Sequence, residues 1–334
     1  MIKAYAAFES GAPLQTFEYD PGPLDKNHVE MQVLHCGICH SDLSMIDNDW
    51  GSSQYPLVPG HEVIGKISAI GDAVTDFAIG DKVGLGWHAS FCESCDPCHN
   101  GDHNLCSRAH PTIVGRHGGF ADHVRASATS VVKLPDALNL ETAGPLFCGG
   151  STVFNPLVEL DVKAGAKVAV VGIGGLGHLA LQFYRAWGCE VTAFTSSADK
   201  AKFALEMGAH STLNSTNPDD IASAKNRFDM IVVTVNVSLE WKLYLRSLAP
   251  RGRLHFVGLP QEPIPVRIPV LVGKQLAVSA SPTGSPKLIS QMLDFAAQHN
   301  IQPITEQFAF ADVNLALDHL RSGRARYRVV LSHD

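Results

Sequence analysis

Four cysteines occupy one short stretch, CESCDPCHNGDHNLC, at Cys92, Cys95, Cys98 and Cys106. Two-residue gaps let one loop wrap around an ion, and structural zinc sites take four such ligands in a tetrahedron. The intervening proline, asparagine and glycine favour the tight turns that this wrapping requires. Two disulfide bonds would need an oxidising compartment, and iron–sulfur clusters usually have other spacings. The spacing therefore predicts a structural zinc ion, with those two alternatives left open.

A second group of candidate ligands is spread over the motifs CGICHSD, GHEVIG and LFCGGST. A catalytic zinc has about three protein ligands and keeps one position open for water or substrate. Cys39, His61 and Cys148 could supply two thiolates and one imidazole. Asp42 could accept a hydrogen bond from the other ring nitrogen of His61 and so fix its tautomer. The set could therefore hold a catalytic zinc, but Cys148 alone could be a core cysteine and His61 alone an ordinary loop histidine.

The sequence GIGGLG follows the apolar run AKVAVV and opens a helical pattern. In that context a GxGxxG motif is a dinucleotide-binding fingerprint. The first glycine turns the chain, the second admits the pyrophosphate and the third packs helix on strand, so that the helix N-terminus faces the phosphates. The predicted cofactor contacts are Gly172, Ile173, Gly174, Gly175, Leu176 and Gly177.

The next strand, CEVTAFT, leads into hydroxyl-bearing and basic residues rather than an acid: Thr195, Ser196, Ser197 and Lys200. An NAD enzyme places Asp or Glu on the ribose about 20 residues after the fingerprint. Hydroxyls and an ammonium suit a 2′-phosphate, which a carboxylate would repel. The segment therefore predicts NADP(H). Asp199 is an objection to this interpretation, and a polar turn that caps the next helix is the alternative.

Two kinds of scaffold must position these residues. Runs such as HVEMQVLHC, EVIGKISAIG and DKVGLGW alternate with Gly- and Pro-rich turns over the first 150 residues. That texture is typical of an irregular, mostly antiparallel β domain. From about residue 151, strands alternate with helices, which predicts a doubly wound parallel sheet. The expected fold class is α/β.

Length and charge bound the function. A chain of 334 residues suggests two domains, and 45% hydrophobic with 18% charged residues is ordinary for a globular protein. A net charge of −7 argues against nucleic acid as a partner, because phosphate-binding surfaces are usually basic. We found no signal peptide and no apolar block long enough for a membrane span. We therefore expect a cytoplasmic protein whose cysteines are ligands rather than disulfides.

The stretch GHEVIGKISAIGDAV, residues 60–74, resembles the zinc signature of the zinc-dependent medium-chain alcohol dehydrogenases. The resemblance extends nearly end to end and is strongest to the cinnamyl-alcohol-dehydrogenase-like branch. Within it, CGICHSDLSMIDNDWG, GPLFCGG, VGIGGLGHLA and ARYRVVLS are similar to the bacterial broad-range NADPH-dependent aldehyde reductases. The resemblance implies a GroES-like catalytic domain at residues 1–150, completed by about 282–334, and an NADP-binding Rossmann domain at 151–281.

The resemblance also implies individual roles. It assigns the catalytic zinc to Cys39, His61 and Cys148, and lets Glu62 take the fourth position when substrate is absent. Ser41 would hydrogen-bond the substrate oxygen and pass its proton outward. Further cofactor contacts would be His40, Ser41, Thr152, Thr234, Gly258, Ser279, Ala280, Ser281 and, on the pyrophosphate, Arg328. Three aromatic residues near the metal motifs could line a substrate pocket or belong to the core: Trp50, Trp87 and Phe147.

These features predict an enzyme with two zinc ions per subunit, one catalytic and one structural, that reversibly reduces a broad range of aliphatic and aromatic aldehydes to primary alcohols with NADPH. An NAD-dependent polyol or alcohol dehydrogenase would want an acid near residue 195. A zinc-free quinone reductase would lack both ligand sets, and a non-catalytic zinc- and nucleotide-binding regulator would not need the relay serine. We expect a homodimer or homotetramer, with the strand-rich segment 266–281 as a dimer-forming edge.

Overall fold

Short strands dominate the first part of the computed structural model, which describes residues 1–333, and alternating strands and helices follow. The strands are β1 (Ile2–Ala6), β2 (Gln15–Tyr19), β3 (His28–Ile38), β4 (Glu62–Ile70), β5 (Lys82–Leu85), β6 (His88–Ser90), β7 (His110–Pro111), β8 (His123–Ser127), β9 (Val131–Lys133), β10 (Lys167–Val171), β11 (Glu190–Thr195), β12 (Ser211–Asn214), β13 (Phe228–Val233), β14 (Leu248–Phe256), β15 (Ala277–Ala280), β16 (Thr305–Ala309) and β17 (Arg328–Ser332). The α-helices are α1 (His40–Ile46), α2 (Asp96–Asn100), α3 (Leu140–Ala143), α4 (Gly149–Glu159), α5 (Gly177–Ala186), α6 (Ala198–Glu206), α7 (Pro218–Ser223), α8 (Trp241–Ser247), α9 (Ile268–Lys274), α10 (Pro286–His299) and α11 (Val313–Arg321). Short 3₁₀ turns lie at His103–Leu105, Ala128–Ser130, Gly144–Phe147 and Phe310–Asp312.

The chain forms two compact units. The first comprises Met1–Ser151 together with the chain from Thr283 onward, and the second comprises Thr152–Pro282. Among residues 1–333, no helix is both long enough and apolar enough to span a membrane.

The first unit is organised by a seven-stranded sheet in the order β16-β17-β3-β4-β5-β9, with β8 also paired to β3. All these pairs are antiparallel except β16–β17. The start of β3 alternates in burial, with Val29, Met31 and Val33 directed into the core, as expected for a strand with one buried face. In the β3–β4 register Gly37 lies opposite Glu62, which brings the end of the CGIC motif beside the GHE motif.

The second unit contains a six-stranded parallel sheet in the order β12-β11-β10-β13-β14-β15. Strand β10 has four consecutive buried residues, Val168 to Val171. Such continuous apolar runs are typical of parallel strands that are covered on both faces. With β10 taken as the first strand, this order is the 3-2-1-4-5-6 order of doubly wound dinucleotide-binding sheets. The predicted α/β fold class is confirmed.

One local expectation was wrong. The segment 266–281 was expected to be strand-rich, but residues Ile268–Lys274 form helix α9 and only Ala277–Ala280 form a strand. Pro269 stands in the first turn of α9, where its missing N–H has no intrahelical partner to lose. Gln275 then ends the helix in the left-handed conformation. The valines and leucines of this segment led to the prediction of a strand. The position of Pro269 instead favours the start of a helix.

Candidate metal centres and nucleotide site

Asp42 organises the first candidate metal centre. Helix α1 begins directly after Cys39, and the Asp42 carboxylate folds back to accept the Cys39 backbone N–H at 2.8 Å. Its other oxygen accepts the Gly60 N–H at 2.8 Å and lies 3.0 Å from His61 Nδ1. This buried carboxylate thus ties the start of α1 to the loop before β4 and holds the His61 ring in one orientation.

The donor atoms of Cys39, His61, Glu62 and Cys148 all lie within 4.8 Å of one another. The sulfurs of Cys39 and Cys148 are 3.9 Å apart, and two thiolates on one zinc, each at about 2.3 Å in a tetrahedron, would be about 3.8 Å apart. The His61 Nε2 atom is buried and has no hydrogen-bond partner in the described structure. A buried ring nitrogen without a partner is costly, and a metal ion would satisfy it. The residues present therefore fit a zinc ion.

The electrostatics of this set favour an ionised ligand. Hydrogen bonding with the Cys148 thiol lowers the pKa of Cys39 well below its usual value, although burial opposes the shift. Burial lowers the pKa of His61, but the Asp42 carboxylate and the Cys39 thiol together outweigh that effect and raise the pKa. Thiolates are the form in which cysteine binds metals.

Glu62 is held by an arginine from the far end of the chain. The Arg328 guanidinium donates to Glu62 Oε1, and both side chains are buried, at 5% and 0% exposure. Burial raises the pKa of Glu62 and Arg328 opposes the shift. A Cβ atom at Gly37 would lie 2.0 Å from Glu62 Oε2, so only glycine leaves room for this carboxylate. Arg328, predicted to contact the pyrophosphate, here engages Glu62 and the Ile38 carbonyl.

The four-cysteine stretch forms the second candidate metal centre. Its four sulfurs lie within 4.8 Å of one another, with Cys95 and Cys98 3.5 Å apart and Cys92 and Cys98 3.9 Å apart. These separations are far from the disulfide bond length of about 2.0 Å, and all four residues are free cysteines. They match the edge of a tetrahedron around zinc, about 3.8 Å. Helix α2 and Gly101, at φ +86°, provide the turn between the last two cysteines.

The fingerprint glycines lie at the carboxyl end of β10. Gly172 has φ +92°, and a Cβ at Gly177 would lie 1.9 Å from the Gly172 carbonyl oxygen. A Cβ at Gly174 would meet nothing within 4 Å, so its backbone is open to an approaching ligand. Thr234 donates its hydroxyl to the carbonyls of Val171, at 3.0 Å, and Gly172, at 2.7 Å. The loop is therefore braced from β13 while its outer side stays open, which fits a pyrophosphate.

The predicted 2′-phosphate segment lies at the carboxyl end of β11. Thr195 is buried and donates to the Ser197 carbonyl at 3.3 Å. The Ser197 hydroxyl accepts the Lys200 N–H at 3.3 Å and caps helix α6, so the capping interpretation holds for that side chain. Ser196 and Lys200 are exposed. Ser197 and Asp199 are exposed too, and the side-chain donors of Ser196 and Lys200 lie outside the hydroxyl contact of the helix cap.

The remaining predicted residues fall into three classes. Trp87 lies beside the candidate metal centre, with its ring centroid 5.0 Å from that of His61, and Trp50 lies 6.0 Å from Trp87. Phe147 belongs instead to the core, because its side chain has no exposure and a Cβ at Gly84 would lie 2.1 Å from its ring. The hydroxyl of Ser41 lies 3.8 Å from Cys39 Sγ, His40 is exposed and Thr152 is buried. Gly258 packs on the backbone of Thr234 and Val235. Ser279 and Ser281 hydrogen-bond to His255, and Ala280 between them is exposed.

Comparison with known proteins gives concordant results. Residues 25–136 match the alcohol dehydrogenase GroES-like domain, and residues 175–298 match the zinc-binding dehydrogenase family. An aldehyde reductase of Synechocystis is 61% identical over 100% of this chain and 99% of its own length. A cinnamyl alcohol dehydrogenase from Sorghum bicolor superposes with a TM-score of 0.95 at 34% identity, covering 99% of this chain and 97% of that one. The CAD protein of Helicobacter pylori, solved in complex with NADP(H), superposes with a TM-score of 0.90 at 30% identity, covering 99% of this chain and 97% of that one.

Proposed function

Because the chain belongs to the zinc-dependent medium-chain alcohol dehydrogenase family, we propose that it reduces aldehydes to primary alcohols with NADPH, and carries out the reverse oxidation. The observation that carries this proposal is the catalytic donor set. Cys39, His61 and Cys148 converge from separate elements, and His61 Nε2 is buried without a partner. Two thiolates and one imidazole are a ligand set of catalytic zinc that leaves a position open for substrate.

In this proposal Cys39, His61 and Cys148 hold the catalytic zinc, and the four clustered cysteines hold the structural one. When bound, the catalytic zinc supplies Lewis acidity at the carbonyl oxygen and NADPH supplies the hydride. Asp42 keeps His61 Nδ1 protonated, so that Nε2 presents its lone pair. Ser41 Oγ lies 3.8 Å from Cys39 Sγ, where its hydroxyl can hydrogen-bond the substrate oxygen and pass the proton. Arg328 holds the Glu62 carboxylate beside the set.

The preference for NADPH rests on the end of β11. Thr195, the last residue of that strand, is not an acid, whereas NAD enzymes place Asp or Glu there. Ser196 and Lys200 follow it and are exposed, and Asp199 lies past the strand end, in the first turn of α6. An ammonium and a hydroxyl can bind a 2′-phosphate. The relative solved with NADP(H) supports the same choice for this chain.

The range of aldehydes rests on Trp50 and Trp87. Their rings pack edge to face beside His61, where they would offer apolar surface to an aliphatic or aromatic substituent. A pocket that recognises its substrate by apolar contact discriminates weakly between chain lengths. We therefore expect both straight-chain and aromatic aldehydes to be substrates.

The test compares NADPH and NADH oxidation over a panel of such aldehydes. The wild-type enzyme should use NADPH far better. Ser196→Asp places a carboxylate near the 2′-phosphate and should lower the NADPH-to-NADH ratio of kcat/KM by about tenfold or more, because like charges repel. Lys202→Gln, on the exposed side of α6, changes the net charge by the same amount and should leave the ratio unchanged. Equal use of the two cofactors by the wild type would contradict the NADPH assignment.

We further propose that the protein is a homodimer or homotetramer and is cytoplasmic. Strand β15 ends its sheet with an unpaired edge, and Ile268 and Val272 of α9 are 64% and 72% exposed. Such an edge with apolar neighbours favours pairing with a second copy. Eight free cysteines support a reducing compartment. Light scattering during gel filtration tests the assembly, and a monomer mass would contradict it.

A further inference from the structure

A histidine that the sequence patterns did not single out lies at the nucleotide edge of the parallel sheet. His255 is the penultimate residue of β14 and is 1% exposed. Its Nδ1 lies 2.8 Å from Ser279 Oγ and its Nε2 lies 2.9 Å from Ser281 Oγ. Both ring nitrogens are thus satisfied by hydroxyls of β15 and of the residue that follows it. Burial lowers the pKa of His255 to about 4, so the ring is neutral at physiological pH.

A neutral imidazole donates with one nitrogen and accepts with the other. One of the two serines must therefore accept a hydrogen bond and the other must donate one, so the ring holds both hydroxyl oxygens in place. A second buried side chain holds the same segment, since Asn155 donates its amide to the Pro282 carbonyl at 2.9 Å. Residues 279–282 are accordingly anchored at two points by side chains from other elements of the second unit.

The strand order places this anchored segment relative to the cofactor. Ligands of parallel sheets bind outside the carboxyl ends of the strands. The fingerprint puts the pyrophosphate at the end of β10, and Ser196 with Lys200 would meet the adenosine ribose at the end of β11. In the order β12-β11-β10-β13-β14-β15 the other half of the dinucleotide must extend across the ends of β13, β14 and β15. The His255 network lies at the ends of the last two of these strands.

We propose that His255 is a positioning residue for the nicotinamide half of the cofactor. It acts through Ser279 and Ser281, by fixing the strand end against which the nicotinamide riboside binds. This inference rests on the proposed dinucleotide cofactor. A residue that only stabilises the sheet would affect both halves of the cofactor equally. Loss of His255 should weaken the binding of the nicotinamide half and spare the adenosine half.

The experiment measures binding by calorimetry on the zinc-loaded protein, with NADPH and with 2′,5′-ADP, which carries only the adenosine half. Ser281→Ala removes one hydroxyl, and His255→Leu removes both hydrogen bonds. We expect NADPH binding to weaken by about tenfold in His255→Leu, corresponding to one or two lost hydrogen bonds, while 2′,5′-ADP binding changes by less than about twofold. His255→Gln, whose amide also donates and accepts, should restore part of the NADPH affinity. The matched control is Ser247→Ala, which removes a buried hydroxyl bonded to the Ile221 carbonyl in the same unit and should alter neither ligand.

Equal weakening of both ligands in His255→Leu and in Ser281→Ala would overturn the proposal, because it would show a purely structural role. Unchanged NADPH binding in both variants would overturn it as well. The cofactor assignment fails separately, if the wild-type protein binds 5′-AMP as tightly as 2′,5′-ADP. In that case NADH and 5′-AMP replace the two ligands, and the same comparison between the two halves still tests His255.

Discussion

Asp42→Asn is the sharpest test of the proposed catalytic metal centre. The carboxylate accepts three hydrogen bonds, from the Cys39 N–H, the Gly60 N–H and His61 Nδ1, at 2.8, 2.8 and 3.0 Å. An asparagine has one oxygen for these donors, and its NH₂ group must face at least one N–H. In the best orientation the asparagine oxygen still accepts from the Gly60 N–H and from His61 Nδ1, and the asparagine NH₂ group faces the Cys39 N–H. The substitution therefore loses one hydrogen bond and the charge that strengthens the other two.

The expected cost follows from those contacts. A hydrogen bond to a charged group contributes about 1.5–3 kcal/mol, and loss of a residue that orients a zinc-bound histidine typically lowers metal affinity about 10–100-fold. The two figures agree, since tenfold corresponds to about 1.4 kcal/mol. We expect the affinity of the catalytic zinc to fall by about 10–100-fold, and the structural zinc to be retained.

Competition against a chelator of known affinity, followed by metal analysis, measures the two zinc ions separately. The control is Asp47→Asn, because Asp47 directly follows the same helix but pairs with Arg321 at 2.7 Å instead of with the metal donors. Its catalytic zinc should bind as in the wild type. A zinc affinity of Asp42→Asn within about twofold of the wild type would refute the role of Asp42 as the residue that orients His61.

Three further predictions concern stability and cofactor binding. Glu62→Gln removes the carboxylate that pairs with the buried Arg328 guanidinium and should lower the free energy of unfolding in urea by about 3–5 kcal/mol. An unchanged unfolding midpoint would contradict this. Gly177→Ala places a Cβ 1.9 Å from the Gly172 carbonyl oxygen and should abolish NADPH binding in calorimetry while both zinc ions are retained. Burial lowers the pKa of His255 from 6.5 to about 4, so between these values the unfolded chain binds the extra proton. Thermal stability should therefore fall as the pH decreases from 6.5 towards 4, and less steeply in His255→Gln, as measured by melting temperature against pH.

The features that sequence could predict are local in the chain or typical of one strand–helix unit. The four clustered cysteines share one loop, so their spacing alone brings the sulfurs together, and the structure places them within 4.8 Å. The fingerprint glycines likewise depend only on β10, α5 and the turn between them. The convergence of Cys39, His61 and Cys148 could not come from spacing, because it depends on how three distant segments pack. The resemblance to the family motifs supplied the prediction that these three residues converge. The role of Cys39, His61 and Cys148 as zinc ligands stays a prediction.

Contacts between distant strands were beyond sequence reasoning. Arg328 reaches Glu62 because β17 pairs with β3 and β3 pairs with β4, which no local pattern encodes. A signal did exist at Gly37, since a glycine inside a strand often marks the close approach of another group. His255 gave no signal, because one histidine within an apolar strand reads as an ordinary core residue. Phe147 could be read either way from the sequence, as a pocket or a core residue, and the structure shows its side chain fully buried.

The most direct test of the central claim is removal and return of the catalytic zinc. The enzyme is treated with a chelator until metal analysis shows that the catalytic zinc is lost and the structural zinc retained, and NADPH oxidation with an aldehyde is then measured before and after zinc is restored. Our account predicts that turnover is lost with the catalytic zinc and returns with it, while NADPH still binds to the stripped protein. Turnover that persists after verified loss of the catalytic zinc would contradict the account.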